Sequence, residues 1–117
     1  MPITSRLAGL HPAVRERAEL AVEIARAYRV PVTVTSGFRS FSDQDYLWRR
    51  YLAGQSRYPA VPAGRSAHNY GLAWDSTTSP RYQAWWTAVR EALGFQVVPS
   101  DIIHAQVPGW TQYVEGL

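Results

Sequence analysis

Amphipathic helical stretches alternate in this sequence with very short β-branched runs, and the connections between them are brief. That pattern constrains the fold more than any other feature. Antiparallel strands can be joined by tight turns, whereas each parallel pair needs a crossover of about a dozen residues or more. Several parallel crossovers do not fit. The expected class is α+β, a small mostly antiparallel sheet with helices packed around it.

Residues Pro12 to Tyr28 are expected to be helical. Val14, Ala18, Ala21, Ala25 and Tyr28 recur at three- and four-residue steps and form one apolar face. Pro12 suits a first helical turn. After Pro31, Val32 to Thr35 is a β-branched strand ended by Ser36 and Gly37. A second helix is expected from Asp43 to Ala53, with Ser42 as N-cap, Arg49 and Arg50 near its end, and Gly54 as its stop. Gln55 to Ala67 is polar, contains Pro59, Pro62 and Gly64, and is read as a long loop of the kind that often carries function. Leu72 to Ser76 is a candidate strand. Ser79 and Pro80 begin a third helix that reaches Leu93 and stops at Gly94. Phe95 to Val98 and Ile102 to Val107 are two further short strands; the tail from Trp110 to Leu117 is ambiguous.

The 117 residues give room for one domain, expected to span 1–117. A hydrophobic content of 46% with 5 Trp supports a packed core rather than disorder. No apolar run approaches the roughly 20 residues of a membrane span, so no membrane partner is expected. The N-terminal segment lacks the charged-then-apolar form of a signal peptide. With no Cys, disulfides and thiolate metal sites are excluded, and any metal must be held by the 3 His and 9 acids. The net charge is +3 and every basic residue is Arg. The arginines are too dispersed to form a nucleic-acid patch, so no nucleic-acid partner is expected. A monomer is expected.

Two histidines stand near acids: His68 with Asp75, and His104 with Asp101. Two neutral imidazoles and a carboxylate make an open zinc site, with a water in the fourth position whose pKa the metal lowers. A second carboxylate can then accept that proton. Asp75 could be the ligand and Asp101 the base. The spacing raises a difficulty. On one unbroken strand, His68 and Asp75 would face opposite sides, as would Asp101 and His104. Gly71 permits a turn that could bring the first pair together.

Three blocks carry a family resemblance. Ser36-Gly37-Phe38-Arg39-Ser40 followed by Gln44, the stretch Ser66-Ala67-His68-Asn69-Tyr70-Gly71-Leu72-Ala73-Trp74-Asp75, and Asp101-Ile102-Ile103-His104 occur in that order. Together they resemble the signature blocks of the VanY-like zinc D-alanyl-D-alanine carboxypeptidases and L-alanyl-D-glutamate endopeptidases, which share a broad fold group with the hedgehog zinc domain. The resemblance covers roughly residues 30 to 106 and is specific because all three blocks are present in order.

It implies one zinc ion per chain held by His68, Asp75 and His104. It implies Asp101 as general base and Arg39 as donor to the scissile carbonyl oxygen, a task for which a guanidinium's fixed charge and directed donors suit it. Outside this context Arg39 would be read as a surface salt bridge. Ser66 and Gln44 either support the site or merely cap a turn and a helix start. His11 matches no block and is expected on the surface near the first helix. The implied substrate is a bacterial peptidoglycan stem peptide. Asp rather than Glu at position 101, and His68-Asn69-Tyr70-Gly71, are similar to the endopeptidase branch, including phage endolysins. That implies a cell-wall lysin, held in the host cytoplasm until holin-type release or carried on a virion. Two alternatives stand: a D,D-carboxypeptidase on the same scaffold, and a non-catalytic tail module. Phe38, Trp74, Ile103 and Ala105 depart from the usual family residues and bear on substrate preference.

Overall fold

The computed structural model describes residues 5–114 and 116. Three α-helices surround one three-stranded antiparallel sheet, as the α+β expectation requires. The elements run α1 (Pro12–Ala27), β1 (Val32–Ser36), α2 (Phe41–Leu52), β2 (Ala73–Thr78), α3 (Gln83–Ala92) and β3 (His104–Gln106). The sheet order is β1-β2-β3, with β2 in the centre. Short 3-10 turns occupy Ser5–Leu7, Ala67–Tyr70, Pro80–Tyr82 and Trp110–Tyr113.

α1 buries Val14, Ala18, Ala21, Val22 and Ala25. Tyr28 does not belong to that face. It is the C-cap residue, is exposed, and rests its ring against Trp85 at a centroid distance of 5.7 Å. His11 is exposed at the N-cap, where its Nδ1 accepts from the Ala13 amide at 3.2 Å. The helix begins at Pro12 because that residue's missing N–H is a donor that a first turn leaves unused.

Four elements differ in extent from expectation. α2 starts at Phe41, and Ser40 rather than Ser42 caps it. Ser40 is extended and its hydroxyl accepts from the Asp43 amide at 3.1 Å, the N-cap geometry. α3 begins at Gln83, because Ser79 and Pro80 open a 3-10 turn instead and the Ser79 side chain makes no cap bond. The strand expected over 95–98 is reduced to a single bridge between Gln96 and Gln106, and β3 holds only three residues. Ile102 and Ile103 form a turn, with their carbonyls directed at a side chain of α3.

The core draws on every layer. Trp74 of β2 and Trp86 of α3 are fully buried and meet edge to face at 6.0 Å, and Trp74 meets Phe95 similarly at 5.6 Å. Replacing such a ring by alanine typically costs about 3–5 kcal/mol. The Trp86 indole donates to Ser76 Oγ at 2.8 Å, which ties α3 to the central strand. Trp74 Nε1 has no partner among the described residues. α2 is different: its one buried residue is Gln44.

Candidate metal centre and active site

The parity difficulty disappears because neither pair lies on one strand. His68 sits in the 3-10 turn Ala67–Tyr70, and the chain reverses at Gly71, whose φ of 70° is left-handed. A Cβ there would lie 2.6 Å from the His11 amide nitrogen, so the close approach to the start of α1 also demands glycine. Asp75 follows on β2, directly opposite His104 of β3 in the antiparallel register. Asp101 precedes a turn in which its carbonyl accepts from the His104 amide at 3.1 Å.

The result is convergence. His68 Nε2 lies 3.2 Å and His104 Nδ1 3.1 Å from the same oxygen, Asp75 Oδ1. One ligand atom from each of the three residues falls within 4.8 Å of the others. The outer nitrogens fix the tautomers. His68 Nδ1 faces the Gly37 carbonyl at 2.8 Å, and a carbonyl can only accept, so the proton is on Nδ1. His104 Nε2 faces Gln106 Oε1 at 2.9 Å, and Gln106 Nε2 in turn donates to Gln96 Oε1 at 3.0 Å. In the neutral rings, Nε2 of His68 and Nδ1 of His104 are then bare lone pairs aimed at a carboxylate oxygen. Three acceptors facing one another need a cation between them, and two imidazoles with one carboxylate form a donor set that zinc accepts.

Without a metal, a proton on the rings takes the cation's place. Burial pushes the Asp75 carboxyl up, but the hydrogen bonds it accepts from protonated His104 and His68 outweigh burial and hold the group well below its ordinary value. Burial pulls the His104 imidazole down, and its bonds to Asp75 and Gln106 more than reverse this, so it lies above the usual histidine value.

Around these residues lies a cavity of about 670 Å³, also lined by Arg39, Gln44, Ser66 and Asp101. Arg39 is held on two sides. Its Nη1 donates to Gln44 Oε1 at 2.9 Å and its Nη2 to Ser36 Oγ at 3.0 Å, while Asp75 Oδ2 stands 3.9 Å away. Gln44 is almost wholly buried and donates to the Val61 carbonyl at 2.8 Å, linking Arg39 to the long loop. Its side chain therefore holds Arg39 and the loop rather than capping a helix. Ser66 does cap: its hydroxyl accepts from the His68 amide at 3.3 Å. A larger cavity of about 740 Å³, lined by His11, Leu72 and Phe95 among others, touches none of the three clustered residues; all three line the smaller one.

Several supporting groups escape the sequence reading. The Gly37 carbonyl, Ser36 and Asn69 carry no signal of their own as site residues. Asn69 Nδ2 donates to the Arg39 carbonyl at 2.8 Å, which ties the His68 turn to the Arg39 segment. Gln106 could have been found: it lies two residues beyond His104, on the same face of a strand.

Comparisons with known proteins place the chain among relatives. The chain is 37% identical over 76 residues to the peptidoglycan L-alanyl-D-glutamate endopeptidase CwlK of Bacillus subtilis, an alignment that covers 64% of this chain and 44% of CwlK. It thus spans less than half of that relative. Among solved structures, the L-Ala D-Glu endopeptidase ChiX of Serratia marcescens superposes with a TM-score of 0.62 at 24% identity, covering 87% of this chain and 83% of ChiX. The vancomycin-resistance D,D-pentapeptidase VanY in complex with Zn(II) superposes with a TM-score of 0.64 at 18% identity, covering 88% and 76%. At these identities the structural matches establish the fold. The profile of the VanY family, described as D-alanyl-D-alanine carboxypeptidase, matches residues 8–97, and the chain belongs to that family.

Proposed function

We propose that this chain is a zinc peptidase that hydrolyses the L-alanyl-D-glutamate bond of peptidoglycan stem peptides, acting at the bacterial cell wall as an endolysin or virion-associated lysin. The observation that carries the metal assignment is the convergence of His68 Nε2 and His104 Nδ1 on Asp75 Oδ1. One zinc ion per chain would be held by these three residues. When bound, zinc supplies a Lewis acid that lowers the pKa of a coordinated water and polarises a carbonyl.

The chain's own residues do the rest. Asp101, on the wall of the same cavity, takes the proton from the attacking water and returns it to the leaving amine. Arg39, braced by Gln44 and Ser36, donates to the carbonyl oxygen as negative charge grows on it. The bracing means that little reorganisation is needed at the moment of reaction.

The choice of bond rests on the similarity to CwlK and on Asp at position 101. Mass spectrometry of digested, purified peptidoglycan tests it. A new N-terminus on D-Glu is expected. Release of free D-Ala would reassign the chain to D,D-carboxypeptidase activity, and an intact wall would favour a non-catalytic module.

A further inference from the structure

The turn that separates Asp101 from His104 is not anchored by its own side chains. Ile102 is 42% and Ile103 38% exposed. What holds the turn comes from behind. Arg90 of α3 has no exposed surface, and its Nη2 donates to the Ile102 carbonyl at 2.8 Å while its Nη1 donates to the Ile103 carbonyl at 3.3 Å. The remaining bonds are to its own helix: Nη2 to Thr87 Oγ1 and Nε to the Trp86 carbonyl, both at 3.3 Å. The guanidinium also lies over the Trp86 ring at 5.4 Å.

This arrangement is costly. Burial lowers the Arg90 pKa to about 10, which leaves it charged at neutral pH, and no described carboxylate forms an ion pair with it. Burying a cation without a counter-ion is expensive unless hydrogen bonds compensate it. Here the charge faces the two carbonyls of the turn. The Ile103 carbonyl is shared, since it also accepts from the Ser76 amide at 3.0 Å, next to Asp75. Arg90 thus grips the backbone between Asp101 and His104 and locks it against the strand that carries Asp75.

We infer that Arg90 is a positioning residue for the reaction: its grip on the Ile102 and Ile103 carbonyls fixes the Asp101 carboxylate relative to the His68, Asp75 and His104 cluster. The inference rests on the proposed role of Asp101 as base, and its test separates the two.

Arg90→Met removes the donors at similar volume, and Arg90→Lys keeps a charge and fewer donors. In the metal-free proteins, amide exchange at Ser76 reads the turn, and exchange at Val30, bonded to the Ala25 carbonyl at 2.8 Å in the α1 terminus, serves as the remote reference. In Arg90→Met, Ser76 exchange should rise at least about tenfold with Val30 unchanged. With zinc restored, kcat should fall by about 10²-fold, the usual penalty for a slightly misplaced catalytic group, while KM is unmoved. Arg90→Lys should be intermediate on both measures, and it carries the test if Arg90→Met does not fold. Unchanged Ser76 exchange and kcat, or an equal rise at Ser76 and Val30, would overturn the inference and leave Arg90 as core support. Asp101→Asn is the control on the underlying reading: undiminished turnover there defeats the base assignment, while Ser76 exchange still judges the hold of Arg90 on the turn.

Discussion

His68 Nδ1 donates a 2.8 Å hydrogen bond to the carbonyl oxygen of Gly37, two residues before Arg39. That bond couples the two halves of the site. It turns His68 Nε2 toward Asp75, and it belongs to the same backbone segment that presents the guanidinium. Gly37 cannot vary freely, because a Cβ there would lie 1.9 Å from the Arg6 carbonyl oxygen.

Gly37→Ala should therefore disturb both halves together. Relieving the clash requires the backbone to move, at an overpacking cost of about 1–3 kcal/mol. Zinc affinity should fall by about 10- to 100-fold, as when an outer partner of a metal ligand is lost. Isothermal titration with zinc and urea unfolding check the two effects; a variant with native affinity would show that the Gly37 carbonyl does not orient His68.

Asp101→Ala should keep zinc and lose turnover by about 10²–10⁴-fold, the usual contribution of a general base. Asp101 is exposed on the cavity wall and outside the three-residue cluster, so its removal leaves that cluster intact. Metal analysis beside turnover decides. If Asp101→Ala lost the metal and Asp75→Ala kept it, the two roles would be exchanged.

Arg39→Lys should lower kcat far more than it raises KM, with zinc and stability retained. A lysine cannot reach both Gln44 and Ser36 while still donating into the cavity. Loss of an oxyanion donor costs about 2.7–4 kcal/mol. Gln44→Ala should give a smaller drop of the same kind by freeing the guanidinium. An effect confined to KM would make Arg39 a substrate anchor instead.

In the metal-free protein, the pairing of Asp75 with His104 should contribute most to stability in mildly acidic solution. The Asp75 carboxyl is depressed, so its contribution is full above about 3.9, its unfolded value, and is lost as pH falls through the folded value. The His104 imidazole is raised, so its contribution is full below about 6.5 and is lost as pH rises through the folded value. Between those limits the stability difference between wild type and Asp75→Asn should peak, and it should shrink on either side. Urea unfolding across the pH range measures it; a difference that grows steadily toward alkaline pH would contradict the assigned partners.

The sequence conveyed the class of fold because short β-branched runs and amphipathic periodicity are local properties. It also conveyed which residues to watch, because His68, Asp75 and His104 fall in ordered blocks. What it could not convey was how they meet. The cross-strand pairing of Asp75 with His104 is a matter of register, and the placement of His68 depends on a left-handed Gly71 pressed against the start of α1. Arg90 was illegible for another reason: on a helix it reads as a solvated basic residue, and only the folded turn at Ile102 and Ile103 gives its burial a purpose.

The most direct test of the central claim is a metal titration run alongside hydrolysis of purified peptidoglycan. The chelated protein should be inactive and should regain full activity at about one zinc per chain, the stoichiometry of a site with three protein ligands. His68→Ala and His104→Ala should fold, bind zinc poorly and stay inactive at that ratio. Full hydrolysis by the metal-free protein, or full zinc occupancy in both variants, would contradict the account.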